Sequence, residues 1–286
     1  MNNRITHQQN AVSRYRELHE SGCFVLPNPW DVGTAIYLEH AGFKALATTS
    51  AGVAFSRGQP DATPALPLET MLAHFREIAE ATTLPVNADF QAGYADEPEG
   101  VAQNIRRCIE TGVAGISIED NTGRLDAPLY ELPLASERIR AARKAIDDSG
   151  IPLVLTGRCE AWLVGDPEPF RTSLERLVAY AEAGADCLYA PGVQKPDEIA
   201  AIVKAVAPKP VNVLMHSASD ALSVARLEEL GVRRVSVGSA MARVAWGAFM
   251  RSAQSILSTG TFGSFADAAP FAELNNLFAS RPNESR

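Results

Sequence analysis

One pattern leaves this chain little choice of fold. A short apolar segment recurs along its length, introduced alternately by a glycine and by a proline. Ala41-Gly-Phe-Lys-Ala-Leu-Ala47, Thr111-Gly-Val-Ala-Gly-Ile-Ser117, Ala183-Gly-Ala-Asp-Cys-Leu-Tyr189 and Leu230-Gly-Val-Arg-Arg-Val-Ser236 each put a glycine where a helix closes and a strand begins. Leu84-Pro-Val-Asn87, Ile151-Pro-Leu-Val154 and Lys209-Pro-Val-Asn212 fall between them and open their strands with proline. Helical stretches fill the gaps at Leu68–Ala81, Glu97–Glu110, Ala135–Ser149, Glu168–Ala183, Pro196–Ala207 and Ala218–Leu230. With Gly22-Cys-Phe-Val-Leu-Pro27 as the first strand, eight strands alternate with helices. That pattern predicts an α/β chain closed as a (β/α)8 TIM barrel over about residues 20–255, not an open doubly wound sheet.

The flanks follow from local signals. Gln8 to Glu20 reads as a short amphipathic helix, and Asp31 as the N-cap of a helix running to about His40. After Gly238 a long helix runs to about Ser258. A glycine-containing break covers 259–267, and a tail helix carries Phe271, Leu274 and Leu277 at helical spacing. Residues from Arg281 are expected to be disordered. The whole of 1–286 reads as a single barrel domain, with extra C-terminal helices in the tail, 256–286. An apolar tail beyond a complete barrel has to be covered, and a neighbouring subunit is the expected cover.

Composition narrows the function. The net charge is −8 with no basic run, which argues against nucleic acid and anionic membrane as partners. No signal peptide or membrane-length apolar run is evident, and the four cysteines form no CxxC pair. A reduced, cytoplasmic protein with buried thiols is expected. Cys159 is the thiol to watch, because it follows Arg158.

In a barrel of this kind the chemistry sits at the C-terminal ends of the strands. Asn87 and Asp89 end the third strand and, two apart, share a face. Glu119 ends the fourth and Arg158 the fifth, while Asp61 follows the second in Ser56-Arg-Gly-Gln-Pro-Asp61. A carboxylate at the end of an apolar strand needs a partner. Asp61, Asp89 and Glu119 are hard oxygen donors suited to Mg²⁺, with Mn²⁺ as the alternative ion. Arg158 is suited to clamp a carboxylate or phosphonate in bidentate fashion. Ser50, Ala51 and Gly52 offer backbone N–H groups as a carboxylate cradle, the plainer alternative being a simple turn. Trp30 and Asn212, at the ends of strands one and seven, are candidate substrate contacts. Gly238-Ser239 reads either as a phosphate cradle or as a packing turn. His216 is at a strand end, as an acid–base group or a plain loop residue; His7, His19, His40 and His74 fall on or before helices and are expected to be solvated.

Together these residues resemble the isocitrate lyase/phosphoenolpyruvate mutase superfamily over about residues 20–255, most closely its phosphonomutase-like branch. The resemblance is carried by Asn28-Pro-Trp-Asp31, Thr49-Ser-Ala-Gly52 with Gly58-Gln-Pro-Asp61, Asn87-Ala-Asp-Phe-Gln-Ala-Gly-Tyr94, Ile118-Glu-Asp120, Gly157-Arg-Cys-Glu160 and Asn212. It implies an Mg²⁺-binding barrel that makes or breaks a C–C or C–P bond beside a carboxylate through an enolate. It implies a homotetramer of paired dimers that exchange their eighth helix. By position, Asp61, Asp89, Asn87 and Glu119 would hold the metal and its waters; Ser50, Ala51, Gly52 and Arg158 would hold the substrate.

Three departures from the family shape the expectation. Asn87 stands where the family usually has a first Asp, so Asp89 is expected to be the main protein ligand. The segment 121–130 has no Cys, His or Lys, so the acid of isocitrate and methylisocitrate cleavage is missing. Its one cation, Arg124, replaces the lysine-bearing gate of the phosphorus enzymes. The expectation is an Mg²⁺-assisted lyase or decarboxylase of a small 2-oxo or 2-hydroxy dicarboxylate. A C–P mutase or hydrolase is the runner-up, and a non-catalytic 2-oxo acid binder the third reading.

Overall fold

The structure, a computed structural model, describes residues 2–219 and 221–279, with side chains from residue 6. The eight expected strands all form: β1 (Phe24–Leu26), β2 (Leu46–Ala47), β3 (Val86–Asp89), β4 (Gly115–Glu119), β5 (Val154–Arg158), β6 (Cys187–Tyr189), β7 (Val211–Leu214) and β8 (Arg234–Ser236). They pair in parallel in the order β1-β8-β7-β6-β5-β4-β3-β2. The remaining seam, between β1 and β2, is drawn together just past the strand ends. Ala47 N donates to Pro27 O at 3.0 Å. Asn28 Nδ2 donates to Thr48 O at 2.9 Å, and Asn28 Oδ1 accepts from Val237 N and Gly238 N at 3.0 and 2.8 Å. One side chain thus staples β1, β2 and β8. The Gly238 N–H is consumed here, which favours the packing turn over the phosphate cradle.

The alternating punctuation has a physical basis. Gly42, Gly112, Gly184 and Gly231 stand at φ 91°, 96°, 105° and 88°, the left-handed region where a side chain would clash. The prolines lack an N–H but supply carbonyls to the neighbouring strand. Pro85 O accepts from Leu46 N and Pro210 O from Leu188 N, both at 2.9 Å.

The helices are α1 (Asn2–Leu18), α2 (Val32–His40), α3 (Ser50–Ser56), α4 (Leu68–Glu80), α5 (Pro98–Ile109), α6 (Leu132–Ser149), α7 (Pro169–Glu182), α8 (Pro196–Val206), α9 (Val224–Glu229), α10 (Ala240–Thr259) and α11 (Phe271–Ala279). Asp31 caps α2 as expected, in a capping box with Thr34. Helix α9 differs: it starts at Val224, not near Ala218, because the Ser223 side chain accepts from Arg226 N and sets the start there. The short α3 was not expected as a helix.

Helix α1 plugs the N-terminal floor of the barrel. Gln8 Nε2 bonds Ile109 O and Val113 O at 2.8 and 2.9 Å. Fully buried Tyr15 accepts from Arg234 Nη1 at 2.9 Å. Arg234 Nε and Nη2 donate to Asn212 Oδ1 and Thr156 Oγ1 at 2.9 and 3.0 Å. Among the described residues no carboxylate pairs with this buried guanidinium; neutral oxygens and the His19 ring nitrogen, 3.3 Å from Nη1, solvate it.

Two histidines correct the expectation of solvated rings. His19 packs edge-on against Tyr15 and Phe24 at 4.7 and 5.1 Å, and burial with the Arg234 charge pulls its pKa down to about 3. His74 is buried in α4, and burial with the Arg57 charge pulls it down to about 4. An imidazole on the inner face of a helix stays neutral for the same reason that a leucine is placed there.

Helix α10 stands apart. Of its 20 residues only Ala242 is buried, while Val244, Phe249, Met250 and Leu257 are 62–82% exposed. The tail turns back so that α11 lies against α2, where Phe278 approaches Gly33. The expected disorder from Arg281 lies outside the described residues.

Candidate active site

The ends of β3, β4 and β5 converge on one guanidinium. Arg158 Nη1 lies 3.3 Å from Asp89 Oδ1 and 3.2 Å from Glu119 Oε2, and Arg158 Nε bonds Glu160 Oε1. The register explains the meeting: Asp89 pairs with Ser117, and Glu119 pairs with Arg158. The guanidinium also lies 5.3 Å from the centre of the Tyr189 ring on β6. The four ionised side chains are 16% exposed or less.

Three carboxylates face one cation, so full ionisation leaves two uncompensated negative charges. Burial works against the charge on Arg158, but Glu160 and Glu119 keep it firmly protonated. Burial lifts Glu119 well above the usual carboxylate range, with Glu160, Asp89 and Asp61 adding to it against the pull of Arg158. Burial lifts Glu160 as well. A cluster short of positive charge takes up a proton or a cation.

Asp89 is held on three sides. Its N–H donates to Thr48 Oγ1 at 2.9 Å, and its Oδ2 accepts from Ser50 N at 2.8 Å. Ser50 opens α3, so the Asp89 carboxylate lies on a helix N-terminus and on Arg158 at once. The Gly52 N–H goes instead to the Thr49 cap at 3.2 Å. A Cβ at Gly52 would come within 2.6 Å of Thr49 Cγ2 and 3.1 Å of Trp30 Cβ, so glycine is set here by close packing. Ala51 and Trp30 are half-buried beside it.

The other expected residues divide. Asp61 makes no direct contact with the cluster and sits on an exposed loop, 57–65. Its carboxyl is nonetheless raised by burial and by the Asp89 charge. Asn87 is buried, with Nδ2 on Ser117 Oγ at 2.9 Å and Ala88 O at 3.2 Å, and its Oδ1 lacks a partner. Asn212 is a correction. It lies deeper in the barrel, with both ends of its amide committed to Arg234 and to Ser236 Oγ (2.9 Å), and so is not free to hold substrate. His216 is half-buried, with its carbonyl on Arg243 Nη2 at 2.8 Å and its Nδ1 unpartnered. Cys159 is buried beside Ser173, and burial raises its thiol well above the usual range, which removes it as a thiolate. Asp120 is turned outward to Arg176 and Tyr180, and its Oδ1 accepts the Glu160 N–H at 2.8 Å.

The segment after β4 folds on itself through an Asn121–Leu129 bridge. Arg124 reaches Asp96 at 4.0 Å on the rim, not the cluster. Two residues had been given no role from sequence: Gln91 and Tyr94, both non-glycine residues at positive φ (43° and 57°) just beyond Asp89. The signal was the string Phe90-Gln-Ala-Gly-Tyr94, whose glycine marks only one of the three left-handed positions.

Among the described residues, no three acidic, histidine or cysteine side chains are arranged to ligate an ion by themselves. The donor set does fit a divalent ion that keeps much of its water: buried oxygen donors with two charges in excess. The orphaned Asn87 Oδ1 instead faces Gly115 and the Tyr15 ring, toward the floor.

Comparisons with known proteins place the chain in a family. The sequence model of the phosphoenolpyruvate phosphomutase family matches residues 15–257. A structure from Burkholderia cenocepacia J2315, described no further than lyase or mutase, is 47% identical over 97% of this chain and 99% of its own, with a TM-score of 0.93. The 2-methylisocitrate lyase of Halalkalibacterium halodurans is 27% identical over 89% of this chain and 84% of its own. An oxaloacetate acetylhydrolase solved with its product oxalate is 28% identical over 94% of each chain, with a TM-score of 0.81.

Proposed function

The chain belongs to the phosphoenolpyruvate phosphomutase family of the isocitrate lyase/phosphoenolpyruvate mutase superfamily, and from that premise we propose that it cleaves a C–C bond beside a carboxylate in a small 2-oxo or 2-hydroxy dicarboxylic acid. One observation carries the reading. Arg158 and the Ser50 N–H converge on a carboxylate, that of Asp89, so a guanidinium and a backbone donor are already arranged at the acidic strand ends. Mg²⁺ fits the site with Asp89 as its main protein ligand and Asp61 and Glu119 acting through water. Bound there, it would supply positive charge where an enolate oxygen gathers negative charge.

The chain's own groups do the rest. Arg158 orients the substrate carboxylate and offers a preorganised donor to the oxo group as its charge grows. Such a donor is worth about 3–4 kcal/mol in the transition state. Glu119, lifted by burial above the usual carboxylate range, stands beside Arg158 as the group of the cluster best suited to hold a proton. Arg124 is engaged on the rim, which weighs against phosphorus chemistry at a cation-bearing gate. The test is a panel of oxaloacetate, 2-alkylmalates and phosphonopyruvate, followed by NMR. Cleavage of a C–C substrate supports the proposal. Turnover of phosphonopyruvate alone overturns it, and binding of 2-oxo acids without turnover leaves a sensor or scaffold.

The exposed apolar side of α10 supports a homotetramer of dimers that exchange this helix. Light scattering at micromolar concentration tests it, and a monodisperse monomer excludes it. Among the described residues no helix is long and apolar enough to cross a membrane.

A further inference from the structure

We propose that Gln91 is a positioning residue that clasps the loop 57–67, and with it Asp61, over the active site. The inference rests on the site proposed above and adds a residue whose side chain makes no contact with the reacting groups.

The post is rigid. Gln91 is buried and held at φ 43°, a conformation that a non-glycine residue keeps only when its surroundings impose it. Those surroundings are visible. Asn104 Nδ2 bonds Gly93 O and Tyr94 O at 3.0 and 3.2 Å. The Arg138 guanidinium bonds the carbonyls of Ala92, Ala95 and Asp96 and stacks on Tyr130 at 4.0 Å. Gln91 O accepts the Glu119 N–H at 2.9 Å, which ties this turn to the acidic end of β4.

The clasp is the Gln91 amide, which uses both ends. Nε2 donates to Ala62 O at 2.7 Å, and Oε1 accepts from Ala65 N at 3.0 Å. Tyr94 Oη donates to the same Oε1 at 3.3 Å. Of the described hydrogen bonds, these two are the only ones made by residues 60–65, most of which are exposed. Asp61 is the immediate neighbour of Ala62, so the clasp decides how far its carboxylate stands from Asp89. The loop after β4 rests on the same segment: a Cβ at Gly123 would fall 2.5 Å from Thr63 O. Releasing Gln91 therefore loosens one loop directly and a second through it.

Hydrogen–deuterium exchange of the full-length protein tests this, read beside turnover of whichever panel substrate is accepted. Gln91→Met keeps the volume and loses both bonds. The Ala65 amide, the one N–H of residues 60–65 with a described partner, should then exchange on the order of tenfold faster, while peptides from β4, β5 and α6 keep the parent rates. Gln91→Glu cannot donate to Ala62 O when ionised and can when protonated. Its loop should lose protection at alkaline pH and regain it at mildly acidic pH, each relative to the parent at the same pH. Turnover should follow loop protection in both variants. Unchanged loop exchange in both variants overturns the proposal, and so does a uniform rise across the whole barrel, which marks a purely structural residue. If the parent turns over nothing, the reaction assigned above fails, yet the exchange arms still decide whether Gln91 clasps the loop.

Discussion

Replacing Arg158 by lysine separates catalysis from neutralisation at this site, and the structure sets the scale. The guanidinium makes three charge-assisted contacts, one through Nε and two through Nη1. A lysine keeps the charge but has one nitrogen on a flexible stem, and so loses one or two of them. Each such bond contributes about 1.5–3 kcal/mol, so Arg158→Lys should destabilise the fold by about 1.5–6 kcal/mol. For a chain of this size that corresponds to a fall in melting temperature of roughly 3–10 °C. Catalysis should suffer more. Loss of a preorganised donor to the growing oxyanion lowers kcat by about 10²–10³-fold. Thermal unfolding and steady-state kinetics on one preparation give both numbers. Turnover within about threefold of the parent, together with the predicted loss of stability, would refute the reasoning. Arg158 would then serve only to neutralise Asp89, Glu119 and Glu160.

Three further outcomes follow from the same geometry. Asp89→Ala should abolish the rise in melting temperature that Mg²⁺ gives the parent, and an unchanged shift assigns the ion elsewhere. Burial holds the Glu119 carboxyl well above its ordinary 4.5, so the folded state binds the extra proton and stability drops as pH rises through that window. Glu119→Gln, assayed with chelator, should flatten that slope and raise stability at alkaline pH by on the order of 1 kcal/mol while removing activity; an unaltered slope contradicts the placement of Glu119. His74 has the opposite sign: with a folded pKa of about 4 against 6.5, the unfolded state binds the proton first and stability is lost as pH falls through that range. His74→Leu should gain about 2 kcal/mol at pH 5 over the parent, beyond any gain at neutral pH, and a parallel pair of stability–pH curves would exclude it.

The barrel was legible because each strand announces itself twice, by a glycine or proline before it and by an apolar run within it. The Asp89–Glu119–Arg158 meeting was legible because strand ends of a parallel barrel share one face. Depth along a strand was not. Asn212 and Asn87 both look like strand-end amides, yet one is drawn down to Arg234 and the other to Ser117. Nor does sequence say who consumes a donor: the Ser50 N–H read as a substrate cradle already holds Asp89. His19 and His74 were misjudged because a lone ring on a helix carries no sign of which face turns inward. Gln91 was missed because its partners lie 26 and 29 residues earlier, in a loop with no periodicity.

The floor of the barrel fixes when the molecule can be finished. Tyr15 belongs to α1, and Arg234, to which it bonds 219 residues later, belongs to β8. Until that strand emerges, Tyr15, Asn212 and Thr156 are without the cation they surround. Pairing of β1 likewise waits for β8. Closure therefore waits for β8, and a nascent barrel carries an open edge until that strand emerges. Holding α1 in reserve for β8 leaves a product truncated before that strand unable to seal itself.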